Sequence, residues 1–552
     1  MADVNRIDET IVREAIGKLK AGKSDALFDF SSDCLINAPP ELITHLTHML
    51  KLFATHGFVP HFLLLCTLVP IVKDTLGDTC SSSNYRAIAI SALVMKLLDW
   101  VILLLEGDKL SVDQLQFGYQ QNISTTMCTW AISTVVEHYN IRGKVVYGAA
   151  LDCSKAFDMV EWVELFQELV ERGVAPVFLR LLLYVYVNQR CDVRWNNKYS
   201  SRFPVSNGVR QGAVSSGIFF NLYCNRLILR IRRIGTGCRI GGGGWSPDGG
   251  GLSDGGEFFG ICLYCDDIFL LSASRAGLQS MMDECHSFAS ANNLQFSCNI
   301  DPVKSKSKCI IFSKNVADRT GVDPILLNGV PLPWVPKLRH LGHVLDCSNS
   351  MIFDTNEKRG KFIGKVNSLS QEFHFVSPNV LIDMISKYAC TFYGSCIWNL
   401  FNYESQKVYN AFSISVRHTF KLPWNSHKYF IEPISNTPHL KTQLCSRFVK
   451  FVEKNEKCSK PIIRLLSTLC KADNRTVYCH NLKNIAKECN VTINDLCSSS
   501  AKNNMTFAEV GRDGEWRIDM LINLLAIKFD NLYLDNFDFR DINLMINHVS
   551  TT

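Results

Sequence analysis

No apolar run in this 552-residue chain is both long enough and clean enough to cross a membrane. The oiliest stretches, HFLLLCTLVPIV, ALVMKLLDWVILLL and VFLRLLLYVYV, are short and each is interrupted by Pro, Lys, Asp or Arg. The opening MADVNRIDET has no apolar segment of the kind that heads a secreted protein, so no signal peptide is expected. Internal repeats are absent, which sets solenoids and arrays aside. A dominant charge is also lacking: the formal net charge of +6 permits a polyanionic partner and does not require one. Cysteine is the exception to this scarcity. The 22 cysteines are scattered through a long chain, which reads as reduced thiols in an intracellular protein of the cytoplasm or nucleus. Cys470, Cys479, His480, Cys489 and Cys497 lack the short spacing of a zinc knuckle and read as packing or surface residues.

Apolar residues at 47% and charged residues at 20% describe a globular protein of two to four structural units or one large multi-lobed enzyme. Residues 8–55 carry apolar positions at helical spacing, and in APPELITHLTHML the prolines stand just before a helix. From Cys66 the pattern changes to short apolar strands, with amphipathic helices expected near 90–105, 124–139 and 161–185. The glycine-rich stretch 239–260 reads as a surface loop, and the text after residue 350 as mostly helical.

LYCDDIFLLS, residues 263–272, sets Asp266 and Asp267 side by side between two strand-forming runs. Adjacent carboxylates repel, and burying them costs several kcal/mol unless a cation or proton compensates. Upstream, VVYGAALDCSKAFDMVEW reads as a strand ending at Asp152 and turning into a helix. Carboxylates from a strand end and a neighbouring hairpin can hold two Mg²⁺ ions roughly 3.5 to 4 Å apart, the arrangement used in phosphoryl transfer. Between them, NGVRQGAVSSGIFFNLYCN is a Gly-containing turn opening a helix, a site for an anion or for close approach of a ligand.

In this order the motifs resemble those of the reverse transcriptases of non-LTR (LINE-type) retrotransposons, from about residue 10 to at least 450. The resemblance implies an α+β right-hand polymerase with fingers, an antiparallel-sheet palm and a thumb. LVPIVKD and NYRAIAI would place Lys73 and Arg86 at the incoming triphosphate. LDCSKAFD would make Asp152 a metal ligand and Phe157 the steric gate against a 2′-hydroxyl. RQGAVSSGIFFNLY would line the nucleotide site with Arg210, Gln211 and Gly212. YCDD would supply Asp266 as the second ligand and Asp267 as its helper. DPVKSKSKCIIF would bring Lys306 to the leaving pyrophosphate, and RHLGHVLD resembles a primer-grip hairpin. Mg²⁺, with Mn²⁺ as substitute, and an RNA template, a DNA primer and deoxynucleoside triphosphates are the implied cofactor and partners, with no membrane.

The rival reading of Phe157 is a core aromatic, and that of Lys304, Lys306 and Lys308 is one solvated basic face. Arg226, Arg230, Arg232 and Arg233 read either as a phosphate contact or as an exposed helix end. The expected division is a helical extension over 1–60, fingers and palm over 61–345, a helical thumb over 346–455 and a helical region of unknown role over 456–552. No endonuclease or ribonuclease H text is recognised. In the second motif the family's Ser-Val-Leu-Ser-Pro is Ala213, Val214, Ser215, Ser216, Gly217, which predicts a loosened helix start, and Cys265 stands where Ala is usual. The alternatives are a weakened relic that only binds nucleic acid, and an intron maturase or telomerase.

Overall fold

The structure is a computed structural model that describes residues 2–25, 30–210, 212–241, 256–299, 301, 305–426, 431, 435, 437–493 and 496. Four helices come first: α1 (Ala2–Asn5), α2 (Glu9–Gly17), α3 (Ser32–Ile36) and α4 (Pro40–His56). The Asp8 side chain caps α2 by accepting from Ile11 N, and α4 begins at a proline whose missing N–H is no loss in a first turn. It stops at Gly57, where φ is +62° and a side chain would be strained.

The chain continues through β1 (Leu65–Val72), β2 (Tyr85–Ser91), α5 (Leu93–Glu106), α6 (Thr125–Asn140), β3 (Val146–Asp152), α7 (Trp162–Glu171) and α8 (Pro176–Asn188). Next come β4 (Arg190–Trp195), β5 (Lys198–Tyr199), β6 (Phe203–Pro204), α9 (Ser216–Ile234), β7 (Arg239–Ile240), β8 (Glu257–Phe258), β9 (Ile261–Tyr264), β10 (Asp267–Ser272), α10 (Arg275–Ala291) and β11 (Lys308–Phe312). The stretch 161–185 is two helices where the periodicity suggests one. Gly173 takes φ +72° after α7, and Pro176 opens α8. Both residues stop one helix and start another without altering the apolar period that joins them.

Two sheets carry the architecture. A mixed one has the order β2-β1-β4-β5, with β6 beside β4 and with β1 and β4 parallel. The other is antiparallel throughout, in the order β11-β3-β10-β9. Its strands bury Ala149, Leu151, Phe269, Leu270, Ile310 and Phe312, and α6 and α10 pack against it. Asp152 and Asp267, both only partly buried, stand at the ends of two of these apolar strands. This α+β arrangement is the right-hand polymerase fold.

Beyond it lie the hairpins β12 (Ile325–Leu327) with β13 (Val330–Leu332), and β14 (Lys337–His340) with β15 (His343–Asp346), then α11 (Ile352–Glu372), α12 (Pro378–Met384) and α13 (Tyr403–Thr419). The aromatic-rich segment 388–403 is mostly turns and short helical pieces rather than one helix. Asp354 of α11 anchors the β14–β15 hairpin: its Oδ1 accepts from Val344 N at 3.0 Å, and its Oδ2 accepts from Lys358 Nζ at 2.7 Å and Trp398 Nε1 at 2.8 Å. Three further helices, α14 (Leu440–Glu456), α15 (Pro461–Ala472) and α16 (Val477–Glu488), end the described chain. The last two are not separate from the rest. Val477 N donates to Glu137 of α6, and Tyr478 packs on Trp130. Among the described residues no helix is long and apolar enough to cross a membrane.

Candidate active site

The carboxylates gather because of register. In the β3–β10 pair Asp267 lies opposite Asp152, and residues directly opposite in an antiparallel pair share a face. Asp266 is in the turn between β9 and β10. Lys306, two residues before β11, brings its Nζ to 3.7 Å from Asp152 Oδ2. Lys304 lies outside the described residues. On the mixed sheet Arg86 is opposite Ile71, and two residues past Ile71 comes Lys73, so the period of two gives Lys73 and Arg86 one face. That face looks toward the carboxylates, since the charge of Arg86 acts on both Asp266 and Asp267. Lys73 Nζ donates to Ser83 O at 2.8 Å and closes the loop between β1 and β2.

The backbone under these side chains is held by buried polar residues that motif reading does not single out. Gln116, fully buried, accepts with Oε1 from Cys265 N at 3.1 Å and from Gly118 N at 3.0 Å. Asn221 of α9 donates to Gly118 O at 2.6 Å. A Cβ on Gly118 would lie 2.5 Å from Cys265 N, so the tight Asp-Asp turn, in which Cys265 has φ +61°, rests directly on bare backbone. Ser307 Oγ accepts from Asp152 N at 3.1 Å, and Asp152 O accepts from Ser297 N at 2.8 Å. The signal for these residues is a buried amide or hydroxyl inside an apolar run, as in LQFGY and FFNLY.

Electrostatically the cluster is short of positive charge. Burial, then the neighbouring Asp152, raises the Asp266 pKa, against the pull of Arg86. Burial, then Asp266 and Asp152, pushes Asp267 up to about 6. Among the described residues no group of three His, Cys, Asp or Glu side chains is arranged as a ready metal centre. The fit to a divalent cation rests on the chemistry of the donors: hard oxygen ligands whose mutual repulsion a cation would relieve.

The remaining expected site residues divide. Phe157 is half-buried and stacked on Phe220 of α9, centroids 4.9 Å apart at 9°, at the edge of the cleft. Gly208 packs against the backbone of Phe157 and Asp158, which a Cβ would approach to 2.9 Å. Gly212, with φ +122°, packs on the carbonyl of Ala89 in β2, which a Cβ would approach to 2.5 Å. Gln211 lies outside the described residues. Arg210 does not line the cleft, contrary to expectation. Its buried guanidinium lies 3.6 Å from Cys66 Sγ and its charge acts on buried Asp99. A buried carboxylate needs a compensating cation, and Arg210 supplies it.

Gly217 lies in the first turn of α9 with its Cα covered by the ring of Tyr119, to which a Cβ would come within 2.4 Å, so the proline of the family pattern would not fit. The arginines of α9 are occupied inside the molecule: Arg226 pairs with Glu168 at 2.7 Å, Arg232 with Asp113 at 2.9 Å, and Arg230 with Glu284. Arg233 remains exposed.

A right-hand fold whose antiparallel palm gathers three carboxylates at its strand ends is that of the template-directed polymerases. Residues 72–345 match the family described as reverse transcriptase (RNA-dependent DNA polymerase). Over those residues the chain carries a reverse transcriptase domain. It is 23% identical over 260 residues to the retrovirus-related Pol polyprotein from type-2 retrotransposable element R2DM of Drosophila melanogaster, a match covering 46% of this chain and 23% of that protein. It is also 23% identical over 248 residues to the Pol polyprotein from type-1 retrotransposable element R2 of Nasonia vitripennis, covering 45% and 22%. The matched part thus spans less than a quarter of either relative. Among solved structures, apo telomerase from Candida tropicalis truncated from its C-terminal domain is similar at a TM-score of 0.34 and 12% identity, over 59% of this chain and 62% of that one.

Proposed function

We propose that this chain is an RNA-directed DNA polymerase of a mobile element, extending a DNA primer on an RNA template. The observation that carries the proposal is the Asp152–Asp267 register with Asp266 in the adjoining turn, a set of carboxylates short of positive charge beneath Arg86. Asp152 and Asp266 are the residues that would hold Mg²⁺, as two ions and with Mn²⁺ as a substitute, and Asp267 would assist them. Bound there, the metal would supply the charge that activates the primer 3′-hydroxyl and stabilises the triphosphate.

The chain's own residues do the rest. Arg86 and Lys73 draw the triphosphate to the shared face of β1 and β2. Lys306 stands beside Asp152, where it neutralises or protonates the leaving pyrophosphate. Phe157, held flat by Phe220, fills the space a 2′-hydroxyl would need, so deoxynucleotides are selected. Gly212 keeps the second-motif turn close to β2. On this reading residues 61–345 are fingers and palm, 346–455 the thumb, and 1–60 and 456–552 regions flanking them, of which 494–495 and 497–552 lie outside the described residues. The packing of Gly217 under Tyr119 gives the second-motif departure a structural reason other than decay, which supports the active reading.

The test is extension of oligo(dT) on poly(rA) by purified protein with Mg²⁺ or Mn²⁺, with EDTA as control. Metal-dependent synthesis is expected, and Phe157→Ala is expected to admit ribonucleotides. Absence of synthesis with either metal would leave nucleic-acid binding as the function. Unchanged sugar discrimination in Phe157→Ala would return Phe157 to the core.

A further inference from the structure

Tyr119 is held in a conformation that a bulky residue rarely adopts. Its φ is +49°, in the left-handed region where only glycine and, less readily, asparagine or aspartate are at ease. Such backbone persists only where the surroundings enforce it, and it clusters at functional sites. The enforcing contacts are on both sides of the residue. Gly118 is locked to the catalytic turn through Gln116 and Asn221, and the Tyr119 ring lies on Gly217, with Cδ1, Cγ and Cδ2 all within 2.5 Å of where a Cβ would be.

Contact with atoms on both edges of the ring means that Gly217 sits under one face of the aromatic. The residue as a whole remains 58% exposed, so the rest of the ring is open. Burial, with the Asp266 carboxylate adding to it, raises the phenol's pKa, in keeping with a position beside the Asp-Asp turn. Among the described residues this aromatic at the edge of a carboxylate cluster makes no ring-to-ring contact on its open side.

We infer that the open face of Tyr119 is a stacking surface for a nucleobase of the base pair being formed, and that Gly217 is small so that the ring can lie flat. This rests on the polymerase reading, and it adds a base-recognition residue and an explanation for the missing proline. Every base has a π-face, so the chemistry is shared by two sources, the incoming nucleotide and the templating strand.

The experiment compares wild type, Tyr119→Phe, Tyr119→Asn, Gly217→Ala and the double variant in steady-state single-nucleotide incorporation, with template–primer binding and thermal melting measured in parallel. Asparagine removes the ring while tolerating the left-handed backbone. Tyr119→Phe keeps the ring and, as the conservative variant, should recover most of the incorporation that Tyr119→Asn loses. Tyr119→Asn should melt as wild type does and lose roughly 5- to 100-fold in kcat/KM. A rise confined to KM for the deoxynucleotide assigns the stacked base to the incoming nucleotide, and weaker template–primer binding with unchanged KM assigns it to the template. Gly217→Ala should impair the wild-type background and add nothing in the Tyr119→Asn background, because the clash is then gone. An active wild type whose Tyr119→Asn variant matches it in both constants overturns the inference, as does a Gly217→Ala penalty of equal size with and without the ring. An inactive wild type fails the polymerase reading instead.

Discussion

Two buried clusters of charge in this molecule are built in opposite ways. At Asp354 the carboxylate is almost fully enclosed, yet it receives hydrogen bonds from Val344, Lys358 and Trp398 and lies beside His343. Burial pushes its pKa up, but neighbouring His343, the charge and hydrogen bond of Lys358 and the hydrogen bond of Trp398 outweigh that and bring it down to about 2. At the end of the palm sheet, Asp152, Asp266 and Asp267 share one region with Lys306 at the margin and Arg86 above, and Asp267 is pushed up to about 6. The first cluster is complete in itself and stabilises the hairpin. The second is left with its carboxylate pKa values raised, and the proposed metal would bring the positive charge it lacks.

The contrast breaks most visibly in activity. Asp152→Asn should abolish extension, a loss on the order of 10³-fold or more, while thermal stability holds or rises because a repulsion is removed. Melting and primer extension on the same preparation check it, and a large drop in stability would mean that Asp152 is compensated after all. The converse substitution, Asp354→Asn, leaves a buried lysine without its partner and should cost about 3 to 5 kcal/mol of stability, read by denaturant unfolding. Any activity lost there should follow the folded fraction and leave the metal requirement unchanged.

Gly118→Ala is next in size. Its methyl group would meet the backbone of Cys265, so the catalytic turn must shift, and extension should fall by roughly 10- to 100-fold with the β14–β15 cluster undisturbed. Smallest is a pH effect. The folded pKa of Asp354 is depressed, so its contribution is complete above the unfolded value near 4 and is lost as pH falls from about 4 toward 2, on the order of 2 kcal/mol. Acid unfolding of Asp354→Asn should lack that limb.

Much of this was legible from local text. The strand ending at Asp152, the Asp-Asp hairpin and the lysine before β11 each announce themselves within ten residues, and their order suffices to suggest the fold. Positions decided by distant contacts were not legible. Arg210 sits in a recognisable motif yet turns inward, because Asp99, far away in sequence, is buried next to it. Gly217 looks like a lost proline until Tyr119 is brought over it from almost a hundred residues upstream. Gln116 and Asn221 are ordinary amides in apolar runs, and only the folded chain reveals that they hold the catalytic turn. The split of 161–185 was local, and the signals at Gly173 and Pro176 were there to be read.

The claim that the incompletely compensated carboxylates are where DNA is made is tested most directly at Asp266, the residue in the turn itself. The measurement is deoxynucleotide incorporation on poly(rA)/oligo(dT) by wild type and Asp266→Asn at matched folded concentration, across a range of Mg²⁺. Mg²⁺-dependent synthesis by wild type and none by the variant, with identical melting curves in EDTA, is the predicted result. Synthesis by Asp266→Asn near the wild-type rate, with the same dependence on Mg²⁺, would contradict it.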